Sequence, residues 1–222
     1  MNYQAVIIIG SSGHSKVIID IFEKENKYII AGLLDGGRSI GEETSGYKVI
    51  GSEEDLPRLL VLYPGCELFV AIGDNWVRQR VVTRILELVP GIEFANAIHP
   101  SANIASSVKM GIGVAVMPGA TVNSDTRVGD FAIINTGASL DHDCIMERFS
   151  SLAPGVSIGG NVSIGAYSAI CIGATVVNGL HLGRNVVLGA GAVLLQNCGD
   201  NLILYGLPAK EIESRQLGDK YL

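Results

Sequence analysis

Charge is scarce in this chain: only 17% of its 222 residues are Asp, Glu, Lys or Arg, and the net charge is −6. With no basic run to meet a phosphate backbone or an anionic membrane surface, nucleic acid is not an expected partner. Apolar runs are short as well. Mean hydropathy is +0.36, yet residues 186–195, broken by Gly189 and Gly191, fall far below the roughly 20 residues that span a bilayer. Membrane insertion is therefore not expected. The four cysteines, Cys66, Cys144, Cys171 and Cys198, lack the close pairs that hold structural zinc. The apolar residues 5–9 run straight into Gly10 with no basic region before them, so the chain reads as a cytoplasmic protein with reduced thiols.

What the chain has in abundance is a period. From Ile98 to Leu194 every sixth residue is Ile, Leu, Val or Met, seventeen positions out of seventeen. Those four residue types supply 71 of the 222 residues, so chance would give the run with probability of order 10⁻⁸ in a fixed phase. The residue four places after each of them is small or branched nearly throughout, as at Ala102, Val108, Val114, Ala120, Ala132 and Ala138. Short strands turning every six residues make three faces of a narrow prism, with 18 residues to a coil and a rise of roughly 4.8 Å. Seventeen hexads make nearly six coils. Cys144 and Cys198 then share a column three coils apart, at about 14 Å, too far for a disulfide.

The first part of the chain obeys a different grammar. Residues 6–9, 29–34 and 68–72 read as buried strands, and 17–24, 52–62 and 76–88 as helices, the second opened by Ser52 with acidic residues in its first turn. Strands alternating with helices imply a small parallel sheet of the Rossmann-like, nucleotide-binding type. The change of period places the division between an α/β unit at 1–95 and an all-β unit at 96–222.

Polar residues that the stack does not need mark the candidate chemistry. Asp141, His142 and Asp143 follow Leu140 at positions that face outward. Two acidic neighbours raise an imidazole's basicity and fix its tautomer, which is what a general base requires; the plain alternative is a solvated corner. His99, before Pro100, is read as a capping or hydrogen-bonding residue, and His181 as surface. His142 and His181 are 39 apart, not a multiple of 18, so histidines on adjacent coils do not build a metal site, and no metal is expected.

A second cluster follows the first strand: Gly10, Ser11, Ser12, Gly13, His14, Ser15 and Lys16. Glycines at a strand-to-helix turn let the backbone approach a ligand, and helix N-terminal N–H groups attract phosphate, although a tight turn alone would also favour glycine. Asp35 ends the second strand, and Gly73, Asp74 and Asn75 end the third, so three loops converge on one crevice. Near the C-terminus, Gly206, Leu207, Pro208, Ala209 and Lys210 form a turn that would cap the last coil.

The hexad pattern resembles the left-handed parallel β-helix of hexapeptide-repeat acyltransferases. End to end, on Gly10 through Lys16, Asp35, Gly73, Asp74, Asn75, Asn135, His142, Asp143 and Gly206 through Lys210, the chain resembles sugar-nucleotide acetyltransferases. That family includes bacterial UDP-4-amino-sugar N-acetyltransferases and sialic acid O-acetyltransferases. The resemblance implies a homotrimer with acetyl-CoA lying between neighbouring β-helices. It implies a nucleotide-sugar site at Gly10, Ser11, Ser12, Gly13, His14, Asp35, Gly73, Asp74 and Asn75, and His142 as base oriented by Asp143. Asn135, Ser151, Gly160, Ile172, Ala190 and Lys210 would meet the cofactor, with the Gly160 N–H turned to the thioester carbonyl. Some relatives carry a second histidine where Ser151 stands here.

The expected reaction is acetyl transfer to the 4-amino group of a UDP-linked amino-deoxy sugar, as in polysaccharide biosynthesis. O-acetylation of sialic acid or its nucleotide is the alternative, and a non-catalytic trimer that binds a nucleotide sugar is the second. Whether Asp141 or Asp143 orients His142, and whether the base is UDP or GDP, the sequence leaves open.

Overall fold

The computed structural model describes residues 4–220. Its first unit is a five-stranded sheet with β1 (Gln4–Ile9) inside, flanked by β2 (Tyr28–Leu34) and β5 (Glu67–Val70), both parallel to it. Helices α1 (Gly13–Glu25), α2 (Leu56–Leu62) and α3 (Asn75–Leu88) connect or follow these strands. Two strands were not expected from the sequence: β3 (Glu43–Thr44) and β4 (Tyr47–Gly51) form a hairpin that extends the sheet beyond β2. The helix foreseen at 52–62 begins as a 3-10 turn, Glu53–Asp55, where the Asp55 carboxylate accepts the Ser52 N–H at 2.9 Å.

From Ala97–Ile98 to Val193–Leu194 the chain forms two-residue strands, one per hexad, in three parallel sheets. We call the sheets face one (from Ala97–Ile98), face two (from Asn103–Ile104) and face three (from Lys109–Met110). Register links residue i to i+18, as in Thr121 with Ser139 and Arg127 with Ile145. The result is a left-handed β-helix whose interior is the aliphatic column with its small companions.

Each corner of the prism needs a residue with left-handed φ. Between faces one and two glycine supplies it, at Gly119, Gly137, Gly155, Gly173 and Gly191. Between faces two and three Asp125, Asp143, Asn161 and Gly179 do so, and Asp and Asn are the side chains that tolerate this region best. Between faces three and one the residues are Gly113, Phe131, Phe149, Tyr167 and Asn185.

The sequence-derived register fails in the final coil. Val187 and Leu188 pair with Ile203 and Leu204, sixteen residues on and not eighteen. Cys198, bridging to Leu182, therefore leaves the column of Cys144; all four thiols are free. The last coil is cut short because the chain turns into a terminal hairpin, Leu202–Gly206 with Ala209–Ser214.

The two units share their cores. Ile8, Phe22 and Phe69 pack in one cluster with Met117 and Ile133 of face one, and Ile7 and Phe94 lie in another with Phe131 and Phe149. The corner aromatics form a ladder: Phe131 stacks on Phe149 at 5.0 Å, Phe149 on Tyr167 at 5.6 Å, and Tyr167 on Trp76 of α3 at 4.2 Å. Trp76 Nε1 also donates to Asn185 Oδ1 at 3.2 Å. Among the described residues no helix is long and apolar enough to cross a membrane.

Candidate active site

His142 stands at the corner between faces two and three, immediately before the left-handed Asp143. Its Nδ1 lies 2.8 Å from Asp143 Oδ2. An ionised carboxylate only accepts, so Nδ1 carries the hydrogen and Nε2 presents a lone pair. Asp141 serves a different bond: its Oδ1 accepts the His142 backbone N–H at 2.8 Å and the Asn123 side-chain amide at 2.7 Å. Asp143 is thus the carboxylate that orients the ring, and Asp141 the one that holds the turn. The Asp143 hydrogen bond, and after it the Asp141 charge, push the His142 pKa above the ordinary histidine value. The Asn123 and His142 donors hold the Asp141 carboxyl below its ordinary range. The imidazole is 60% exposed, and Gly160, one coil above, lies against Nε2.

The loops of the first unit spend their side chains unevenly. Gly10 takes φ +104 after β1, where a Cβ would meet the Ala71 carbonyl oxygen at 3.0 Å. Asp35 Oδ2 accepts the Ser11 N–H at 3.1 Å and its hydroxyl at 2.5 Å, while Oδ1 accepts the Gly37 N–H at 2.9 Å. Ser12 and Gly13 open α1. Asp74 caps α3, accepting from Trp76 N at 3.0 Å and Val77 N at 2.8 Å. Asn75 is fully buried and faces the β-helix, not the crevice: its amide donates to the Tyr167 and Ser168 carbonyls and its oxygen accepts from Arg78.

His14 and Gly73 lie in a cleft of about 340 Å³ together with Asn135, Ser151, Ile172 and Ala190. Here the loops of the first unit meet face one and the corner that follows it. The walls are mostly apolar, from Ile133, Leu152 and Ile170, and Tyr205 of the terminal hairpin joins them. His14 Nε2 is enclosed without a protein partner. Burial, reinforced by the Arg78 charge, lowers the His14 pKa to about 4, so the ring is neutral near pH 7.

The expected cofactor set therefore divides. Gly160 stands with His142 at one corner; Asn135, Ser151, Ile172 and Ala190 line the cleft at another; Lys210 is exposed on the terminal hairpin. A six-residue face separates the two corners, at most about 20 Å of extended chain. His99 is buried, with Nδ1 accepting the Ser101 N–H at 3.0 Å, and the exposed His181 pairs with Ser163 Oγ at 2.6 Å. Among the described residues no group of three or more His, Cys, Asp or Glu is placed to hold a metal ion.

Arg78 was not singled out in the sequence. It is buried and donates to the carbonyls of Ile72, Gly73, Phe131 and Phe149, tying the Gly73 loop to two successive coils at one corner of the β-helix. The signal was available: Asn75, Arg78, Val82 and Ile85 form the buried stripe of α3, and polar residues on such a stripe call for partners.

Comparison with known proteins places the chain in a family. A family model described as the PglD N-terminal domain matches residues 5–85. The chain is 37% identical to GDP-perosamine N-acetyltransferase from Caulobacter crescentus, solved with CoA and GDP-perosamine, covering 96% of this chain and 99% of that one at a TM-score of 0.89. It is 31% identical to the acetyltransferase domain of PglB from Neisseria gonorrhoeae, solved with acetyl coenzyme A, covering 95% and 100% at a TM-score of 0.86. A UDP-N-acetylbacillosamine N-acetyltransferase from Bacillus subtilis is 30% identical over 114 residues, which are 50% of each chain. An uncharacterized protein of Acanthamoeba polyphaga mimivirus is 34% identical over 108 residues, 49% of this chain and 20% of that protein. The chain thus spans half or less of the curated relatives it matches. With a Rossmann-like unit, a left-handed β-helix and full-length likeness to two solved members, the chain belongs to the PglD-like family of hexapeptide-repeat sugar-nucleotide acetyltransferases.

Proposed function

We propose that this protein transfers an acetyl group from acetyl-CoA to the amine of a nucleotide-linked amino sugar, with His142 as general base. The observation that carries this reading is the His142 and Asp143 pair, whose geometry leaves Nε2 free beside Gly160. His142 takes a proton from the sugar amine as the C–N bond forms, Asp143 stabilises the imidazolium, and the proton passes on to the departing CoA sulfur as the C–S bond breaks. The Gly160 N–H is the donor for charge that develops on the thioester oxygen. No covalent acyl-enzyme is needed.

His142 and the cleft occupy different corners of one prism, which suits the homotrimer that the family resemblance implies, with His142 of one copy facing the cleft of its neighbour. The pantetheine arm lies along Asn135, Ser151, Ile172 and Ala190, with Lys210 towards the nucleotide end of CoA. The acceptor sits near Gly10, Ser11, Ser12, Gly13, His14, Asp35, Gly73 and the Asp74 turn. The family resemblance suggests UDP as the carrier, whereas the higher identity and fuller coverage of the GDP-perosamine enzyme favour GDP; both belong in the first substrate panel.

The test is CoA thiol release with UDP- and GDP-linked 4-amino sugars and with sialic acids. Turnover with an amino sugar, and a loss of about 10²–10⁴-fold in His142→Ala, support the reading. Full activity in that variant rejects His142 as base. Sialic acid as sole acceptor selects O-acetylation, and binding without thiol release selects the non-catalytic trimer.

A further inference from the structure

We propose that Asn123 is a positioning residue for His142, acting through Asp141. Asn123 lies one coil below Asp141, since Thr121 pairs with Ser139 and Val122 with Leu140. Its amide donates to Asp141 Oδ1 at 2.7 Å, and the same oxygen accepts the His142 N–H at 2.8 Å. Asn123 thereby fixes the rotamer of the carboxylate that pins the base's own backbone.

The rest of the turn is held by neighbouring strands. Asp141 N donates to the Ile158 carbonyl at 3.2 Å, Asp143 N to the Ser124 carbonyl at 3.0 Å, and Thr126 Oγ1 to the Asp141 carbonyl at 2.8 Å. His142 N has the Asp141 carboxylate as its acceptor, so without Asn123 that anchor is an exposed side chain free to rotate. The ring gains little from packing, being mostly exposed and guided by Asp143 and the bare surface of Gly160. The charges that act on it are Asp143 and Asp141 of its own turn. The coil above offers the uncharged Gly160 and Asn161.

This inference rests on His142 as the base, and the experiment separates the two. Asn123→Ala, Asn123→Asp, Asp141→Ala and the Asn123→Ala/Asp141→Ala double variant are compared in the full-length protein. Both kcat and the KM for each substrate are measured, and the His142 imidazole is titrated by NMR. Asn123→Ala is expected to lower kcat about threefold to tenfold, the range of one modest hydrogen bond, with both KM values unchanged. Asn123→Asp, which sets a second carboxylate against Asp141, is expected to do worse than alanine. Asp141→Ala is expected to move the His142 titration to lower pH, and in that background removing Asn123 costs nothing further.

A wild-type kcat in Asn123→Ala, or a loss that persists undiminished in the Asp141→Ala background, overturns the proposal. If His142→Ala is itself fully active, the base assignment falls and this inference with it. An inactive His142→Ala beside a wild-type Asn123→Ala overturns this inference alone.

Discussion

The Nε2 of His142 rests against Gly160, one coil higher, so closely that a Cβ on Gly160 would come within 2.5 Å of it. Gly160 is not among the left-handed glycines, so its backbone accepts alanine. The penalty of Gly160→Ala falls on the imidazole, which must swing off its site. We expect the fold and melting temperature to be nearly unchanged and kcat to fall on the order of 10²-fold, the usual cost of displacing a catalytic group by about 1 Å. Steady-state kinetics beside a thermal melt check this; undiminished kcat would show that the ring is not needed where it stands.

The pH profile follows from the carboxylates. A base must be unprotonated to act, and Asp143 and Asp141 raise the His142 pKa. Activity is therefore expected to rise with pH through a midpoint above that of an ordinary histidine and then level off. Asp143→Asn removes the larger cause, so the midpoint moves down while kcat falls at least several-fold through loss of the tautomer and orientation. The kcat/KM profile of the two proteins is the measurement, and a midpoint that does not move contradicts the assigned pair.

His14 gives a stability signature independent of activity. Its pKa is lowered to about 4 in the folded chain and returns to the ordinary histidine range on unfolding. Between those values the unfolded state binds more protons. The stability due to the neutral ring is thus complete at neutral pH, declines as pH falls below about 6.5, and is gone near the folded pKa. The difference is roughly 3 kcal/mol. Urea unfolding from pH 7 to pH 4 should show that this slope is lost in His14→Asn.

Trp76 is the single tryptophan, and its stacking on Tyr167 makes it a reporter of the contact between the two units. Tyr167→Ala removes the stacking partner and is expected to cost about 2–3 kcal/mol and shift Trp76 emission to longer wavelength as water reaches the indole. Unchanged emission would mean that the ladder does not hold α3 in place.

The β-helix was legible because each hexad carries its own evidence: an aliphatic residue at Val116, Val122 or Val128 points inward whatever its neighbours do. The corner with His142 and Asp143 was legible for the same reason, since the stack has no use for an imidazole there. The β3 and β4 hairpin was not, because Glu43 and Thr44 form a short edge strand with one buried residue and no apolar alternation. The place of Arg78 on the buried stripe of α3 could be read from spacing, but its partners could not, being backbone carbonyls as far away in sequence as Phe149. The sixteen-residue final coil escaped because the period at Leu188 and Leu194 continues undisturbed and the slip lies in the turns beyond. Which carboxylate orients His142 depended on a side-chain rotamer, and rotamers leave no trace in a pattern of residue types.

The aromatic ladder at the third corner also bears on how such proteins can be recombined. Trp76 and Asn75 of α3 are fitted to Tyr167, Ser168 and Asn185, and Arg78 to the carbonyls of Phe131 and Phe149, so the α/β unit is not a cartridge that slides on and off its prism. A chimaera that exchanges the α/β unit must carry that strip of corner residues along with it. One that does not leaves the Phe131 and Phe149 carbonyls without Arg78 and the Tyr167 ring without Trp76.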